Sequence, residues 1–143
     1  DDYGNAGELY HKDLQFDYRH CIYADRDFTI TDVHLRLTPG NRAEIRQKMD
    51  EFLLLRTTKQ PLDYPSAGST FKRPSGCYAG KLIEDCGLKG KTVGHARVSE
   101  KHAGFIINEG GASATDVRDL IALVKDAVFK NTGIVLETEI KML

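Results

Sequence analysis

One short stretch of this 143-residue chain gathers a hydroxyl, small residues and paired cations. The segment PSAGSTFKRP, Pro65 to Pro74, has a proline at each end and four small residues, Ser66, Ala67, Gly68 and Ser69, in a row. Gly68 has no Cβ, so the backbone beside Ser69 can lie close to a bound molecule. The Ser69 hydroxyl can then face that molecule, while Lys72 and Arg73 can meet phosphate, arginine in bidentate fashion. The same residues also fit a surface connector with two solvated cations.

Other candidates are spread along the chain. FDYRH, Phe16 to His20, sets Arg19 beside aromatics just before an extended region, where stacking can hold the guanidinium out toward a carboxylate; an ordinary cation on a strand edge fits equally. LETEI puts Glu137 and Glu139 two residues apart, on one side of an extended segment, and a solvated face is the plainer account. Ser99, Glu100, Lys101 and His102 form a polar corner before an apolar run, the usual composition of a hairpin turn. DYGNAG lacks the spacing of a phosphate-cradling GxGxxG loop and reads as a hairpin turn. The five histidines and three cysteines fall in no metal-ligand spacing, so no metal site is expected, and Cys21, Cys77 and Cys86 read as reduced thiols.

The elements that must position these groups follow from periodicity. DYGNAGELYHK reads as strand, turn, strand, and the region from Cys21 to Gly40 as a second extended stretch with β-type apolar positions at Ile30, Val33, Leu35 and Leu37. From Asn41, with Glu44 at capping-box distance, a helix is predicted with Ile45, Met49, Phe52 and Leu53 as its apolar stripe, ended by Pro61. Leu62 to Gly76 reads as a linker or site loop. CYAGKLIEDCGLKG predicts a short helix stopped by Gly87, KTVGHARVS and AGFIINEGG one strand each. SATDVRDLIALVKDAVFKNTG predicts a second long helix, capped by Ser113 with Asp116, striped by Val117, Leu120, Ile121, Val124 and Val128, and closed by Gly133. IVLETEIKML is expected to be a final strand. The fold class is α+β.

The length suits one domain or two small lobes. A net charge of −1 speaks against a broad basic surface for nucleic acid, and no apolar run is long enough for a membrane helix. The chain begins DDYGNAG without an initiator methionine or a leader pattern, and is expected to be part of a longer protein.

Taken in order, LQFDYRH, PSAGSTFKRP, AGKLIEDCGLKG, VGHARVSEKHAGFIIN, ATDVRDLI and LETEI closely resemble the UDP-N-acetylenolpyruvoylglucosamine reductase (UDP-N-acetylmuramate dehydrogenase) family, in the shorter variety of many Gram-positive bacteria. The likeness covers nearly the whole chain and is strongest from Gln60 to Asn108. It implies a cytoplasmic, monomeric flavoenzyme of peptidoglycan precursor synthesis, in which FAD takes a hydride from NADPH and passes it to UDP-N-acetylglucosamine enolpyruvate. By match to the YR, GS-x-F-K and LE-x-E motifs, the implied catalytic residues are Arg19, Ser69 and Glu139. Ser69 is the implied proton donor; Arg19 and a protonated Glu139 are the implied stabilisers of charge on the enolpyruvyl group. Lys72, Arg73 and Lys81 resemble residues near the UDP-sugar phosphates, Gly68 gives flavin and substrate close approach, and Lys72 is a candidate neighbour for the serine alkoxide.

The glycine-rich lobe that binds flavin in this family has no counterpart here. The resemblance therefore implies the end of a flavin-binding α+β domain (1–60), a small α+β substrate-binding domain (61–133), and a terminal strand (134–143) that carries Glu139 and pairs with the flavin lobe. Alone, such a chain is expected to hold FAD weakly or not at all and to have no turnover. Cys21, where the family often has serine, and Thr138, where proline is common, are departures. The competing readings are a non-catalytic nucleotide-sugar-binding module and a purely structural domain.

Overall fold

The computed structural model describes residues 6–24 and 29–141. The chain divides into two units, Asp1–Gly40 and Asn41–Leu143.

In the first unit the described backbone forms 3-10 turns at His11–Asp13 and Ile22–Ala24 and no strand. The expected strand–turn–strand at the start lies partly outside the described residues, as do residues 25–28 of the second extended region. Where that region is described, Val33, Leu35 and Leu37 are 70–80% exposed. Alternation supplies a strand with a face, but a strand also needs a neighbour to satisfy its N–H and C=O groups. The described part of residues 29–40 has no ladder partner. A local pairing survives at Asp17 and His20, whose main chains exchange two hydrogen bonds of 3.0 and 3.2 Å.

The second unit opens with α1, Arg42–Lys59. Asn41 Oδ1 accepts from the N–H groups of Ala43 and Glu44, satisfying two of the donors that a helix start leaves unpaired. The cap is therefore the expected one, but no residue of α1 is buried. Its predicted stripe stands open, with Phe52 67% and Met49 57% exposed.

The core lies further on. Strands β1 (Ser66–Ser69), β2 (Thr92–Val93), β3 (Ala96–Val98) and β4 (Phe105–Asn108) make one antiparallel sheet in the order β1-β4-β3-β2. Helix α3 (Ala114–Thr132) packs on β2 and β3, with α2 (Ala79–Asp85) beside it. Ile83 of α2 and Leu120, Val124 and Val128 of α3 are fully buried, as the helical period requires. Phe71, Val98, Ile106 and Leu136 belong to the same cluster. The stretch expected as one strand, KTVGHARVS, is instead a hairpin: Gly94 has φ 53° and turns β2 into β3. No helix among the described residues is long and apolar enough to cross a membrane.

Helix α3 begins with a complete capping box. Ser113 Oγ accepts from the Asp116 N–H at 3.1 Å, and Asp116 Oδ2 accepts from the Ser113 N–H at 2.8 Å. That backbone donor lowers the Asp116 carboxyl below the ordinary aspartate range, although desolvation opposes it. A carboxyl depressed on folding stabilises the native state above its unfolded value, and the contribution disappears as pH falls through the folded value. Asp116→Ala is therefore expected to be destabilising near pH 7, and its deficit relative to the parent chain should shrink toward pH ~3. Denaturant titrations of both chains across that range measure the difference.

Candidate functional site

The candidate site starts from a fault in the sheet. Ser66 pairs with Ile107 and Ser69 with Phe105, so β1 spends three steps where β4 spends two. The extra residue is taken up near Gly68, whose φ of 86° lies in the left-handed region that favours glycine. Nothing stands within 4 Å of where a Gly68 Cβ would be. The result is a bare backbone wall beside an exposed Ser69. The small residues that obscured β1 in the sequence are what open this wall.

Thr70 and Phe71 anchor the far side. They are 2% and 3% exposed. Thr70 donates its N–H to the Gly104 carbonyl at 2.8 Å, and its Oγ1 accepts from the Ile106 N–H at 3.2 Å. The Ser69 hydroxyl donates to the Phe71 carbonyl at 3.3 Å.

Ser69 lies on an open cleft of about 620 Å³. Arg56 and Gln60, at the end of α1, contribute to its lining, together with Tyr64, His102 and Phe105. The polar corner Ser99–His102 is the turn between β3 and β4. Ser99, 1% exposed, accepts from the N–H groups of Lys101 and His102 through its Oγ. The His102 ring packs edge-on against Phe105, and its Nδ1 accepts from the Gly104 N–H at 3.1 Å. Tyr64 was not singled out by sequence reasoning, and His102 only as part of the polar corner read as a hairpin turn. Gly104 packs closely under the His102 ring: a Cβ there would stand only 3.0 Å from His102 Cε1.

The chain's end returns to this place. Thr138 and Phe71 form an antiparallel bridge, with Lys72 N–H donating to the Glu137 carbonyl and Glu139 N–H to the Thr70 carbonyl, at 2.8 and 2.9 Å. Beyond this single bridge, the described part of 134–141 forms no strand; residues 142 and 143 of the predicted strand lie outside the described residues. Glu139 is thereby joined, through its main chain, to the neighbour of Ser69. Opposed residues of an antiparallel pair share a face, and Lys72 accordingly reaches Glu137, Nζ to Oε2 at 3.1 Å.

The remaining candidates occupy separate surroundings. Arg73 lies with its guanidinium carbon 3.9 Å from the Tyr78 ring centre and donates Nε–H to the Cys77 carbonyl. Lys81 on α2 pairs with Asp85 one turn on, and that hydrogen bond raises the lysine above its ordinary range. Arg19 belongs to the first unit. It is the last of the two residues that turn the chain between Asp17 and His20, with φ 56°, and its guanidinium carbon lies 5.9 Å from the Tyr18 ring centre. A non-glycine residue in that region is uncommon. Among the described residues no group of three His, Cys, Asp or Glu side chains could hold a metal ion, and all three thiols are free.

A family model described as "UDP-N-acetylenolpyruvoylglucosamine reductase, C-terminal domain" matches residues 60–143. The chain belongs to the UDP-N-acetylenolpyruvoylglucosamine reductase family. It is 49% identical over 140 residues to the UDP-N-acetylenolpyruvoylglucosamine reductase of Clostridioides difficile (strain 630), covering 98% of this chain and 46% of that protein. The reductase of Lactiplantibacillus plantarum is 48% identical over 140 residues, with the same shares. The crystal structure of UDP-N-acetylenolpyruvylglucosamine reductase from Thermus caldophilus is similar, with a TM-score of 0.63 and 37% identity over 74% of this chain and 37% of that one. The chain thus spans about half the length of the curated reductases it matches, as their C-terminal part. The α+β class expected from the sequence is the class of this structure, which is similar to part of that reductase.

Proposed function

We propose that this chain is the substrate-binding, C-terminal part of an FAD- and NADPH-dependent reductase. The proposed reaction converts UDP-N-acetylglucosamine enolpyruvate to UDP-N-acetylmuramate for peptidoglycan synthesis. Residues 1–60 are read as the end of its flavin-binding domain, 61–133 as the substrate domain and 134–143 as the terminal segment carrying Glu139. The observation that carries the reading, in a chain of this family, is Ser69 on a bulge at the wall of an open cleft, with Glu139 hydrogen-bonded to the adjoining Thr70.

The bare wall at Gly68 fits a flat ring or a sugar approaching the main chain, since no side chain would have to move aside. When bound, FAD supplies the hydride taken from NADPH to the methylene carbon of the enolpyruvyl group. Negative charge then develops on the neighbouring carbon and its carboxylate. Ser69 donates its proton to that carbon, acting as general acid. This requires the hydroxyl to turn from the Phe71 carbonyl, a single rotation about χ1. Glu139, which must carry its proton to do so, and Arg19 stabilise the developing charge, as preorganised groups do at such centres; for Arg19 the proposal rests on the YR motif alone. Arg73, preset on Tyr78, and Lys81 are proposed for the diphosphate. Lys72 joins them by exchanging Glu137 for phosphate, an exposed ion pair of the kind that is weak in water.

The reading is tested by supplying the remaining part of a family reductase. Alone, the chain is expected to purify without stoichiometric flavin and to oxidise no NADPH. Joined to the missing part, it should oxidise NADPH through repeated turnovers only when UDP-N-acetylglucosamine enolpyruvate is added. Failure to do so in a folded, flavin-loaded protein would overturn the assignment.

A further inference from the structure

We infer that Lys101 is a positioning residue that sets the width of the Ser69 cleft by tethering the last turn of α1 to the turn between β3 and β4. Its Nζ donates to the Thr57 carbonyl at 2.7 Å, across 44 residues of sequence. That carbonyl is among the last four of the helix, the ones that intrahelical bonding leaves unpaired. An ammonium is also the charge that the negative end of a helix favours. The turn that launches Lys101 is itself fixed, because buried Ser99 holds the Lys101 and His102 N–H groups.

The tether matters because, among the described residues, α1 itself buries no side chain, and its end is held by the chain running on into buried Pro61 and by Lys101. Apolar packing of the helix therefore does not fix it to the sheet. Yet Arg56 and Gln60, at its end, form one side of the cleft, and His102 and Ser69 belong to another. Lys101 adjoins His102 in sequence, so one short turn contributes both a cleft residue and the link to the helix end. Lysine reaches the carbonyl as a point donor at the tip of a four-carbon stem. Methionine keeps much of the stem and removes the donor.

The effect on catalysis rests on the function proposed above, whereas the effect on the helix does not. The test uses a reductase of full family length carrying Lys101→Met, Lys101→Arg or, as a separate control, Ser69→Ala. Lys101→Met is expected to speed hydrogen exchange at the Gln60 amide, which donates to the Arg56 carbonyl. It should also raise the KM for UDP-N-acetylglucosamine enolpyruvate about fivefold, the scale of one hydrogen bond, with flavin reduction by NADPH unchanged. Lys101→Arg should restore both readings to near the parent values. Unchanged exchange in Lys101→Met would overturn the tether. Faster exchange with unchanged KM, or an equal rise in KM for both variants, would overturn its role in positioning. The Ser69→Ala control separates these outcomes from failure of the functional reading, because only that failure leaves overall turnover intact in the control.

Discussion

Replacing Ser69 by alanine in the full-length reductase is expected to leave the reduction of FAD by NADPH unchanged. The later transfer to the enolpyruvyl substrate should slow by about a hundred- to ten-thousand-fold. That is the range by which a positioned acid accelerates a proton transfer, and it corresponds to about 3–5 kcal/mol of barrier. The change removes one oxygen from an exposed side chain that donates to the Phe71 carbonyl at 3.3 Å, so the fold should be little affected. The bulge depends on the conformation of Gly68, not on the serine hydroxyl. Stopped-flow traces of the two half-reactions measure the split. A variant that passes its hydride to substrate at the native rate would remove Ser69 from the mechanism.

Phe71→Ala carries the largest expected cost to stability, about 3–5 kcal/mol. Phe71 is 3% exposed in the main cluster, and truncating it leaves a hole where a ring was. A loss of that size is a large fraction of the 5–15 kcal/mol that holds a typical domain. The same residue pairs with Thr138, so the variant should also loosen the segment that brings Glu139 to Thr70. Phe71→Leu, which keeps most of the volume, should cost distinctly less. Denaturant midpoints of the two variants test this, and a deficit below about 1 kcal/mol for Phe71→Ala would contradict the packing described.

These two neighbours also show what could be read from the sequence. The helices were legible because their signals are local: Asn41 and Ser113 cap, the period of Leu120, Ile121, Val124 and Val128 marks a face, and Gly133 adopts φ 73° to close α3. Strand β4 was legible as an apolar run. Strand β1 was not, since Ser66–Ser69 has no alternation and owes its existence to main-chain bonds with residues about forty positions away. The stripe of α1 was legible as a pattern but not as burial, because burial depends on a partner surface that periodicity does not name. In the same way, the first unit's alternating residues predicted strands where the described backbone finds no ladder.

At the site, residue types were more informative than surroundings. Ser69 and Glu139 were picked from motifs, and the bridge at Phe71 and Thr138 is what brings their backbones together. The partner of Lys72 was invisible in sequence, whereas that of Lys81 lay at i,i+4 on a predicted helix. Glu137 opposes Lys72 only once the chain end folds back. Tyr64 and His102 reach the cleft from a loop and a turn, elements whose side-chain directions follow no period.

The most direct measurement is a structure of the full-length reductase with FAD and UDP-N-acetylglucosamine enolpyruvate, or a stable analogue, bound. The account predicts the Ser69 hydroxyl turned away from the Phe71 carbonyl and lying about 3–3.5 Å from the carbon that bears the carboxylate, the distance of a reacting pair. A complex with the substrate fully seated and that hydroxyl still on Phe71, out of reach of the carbon, would contradict it.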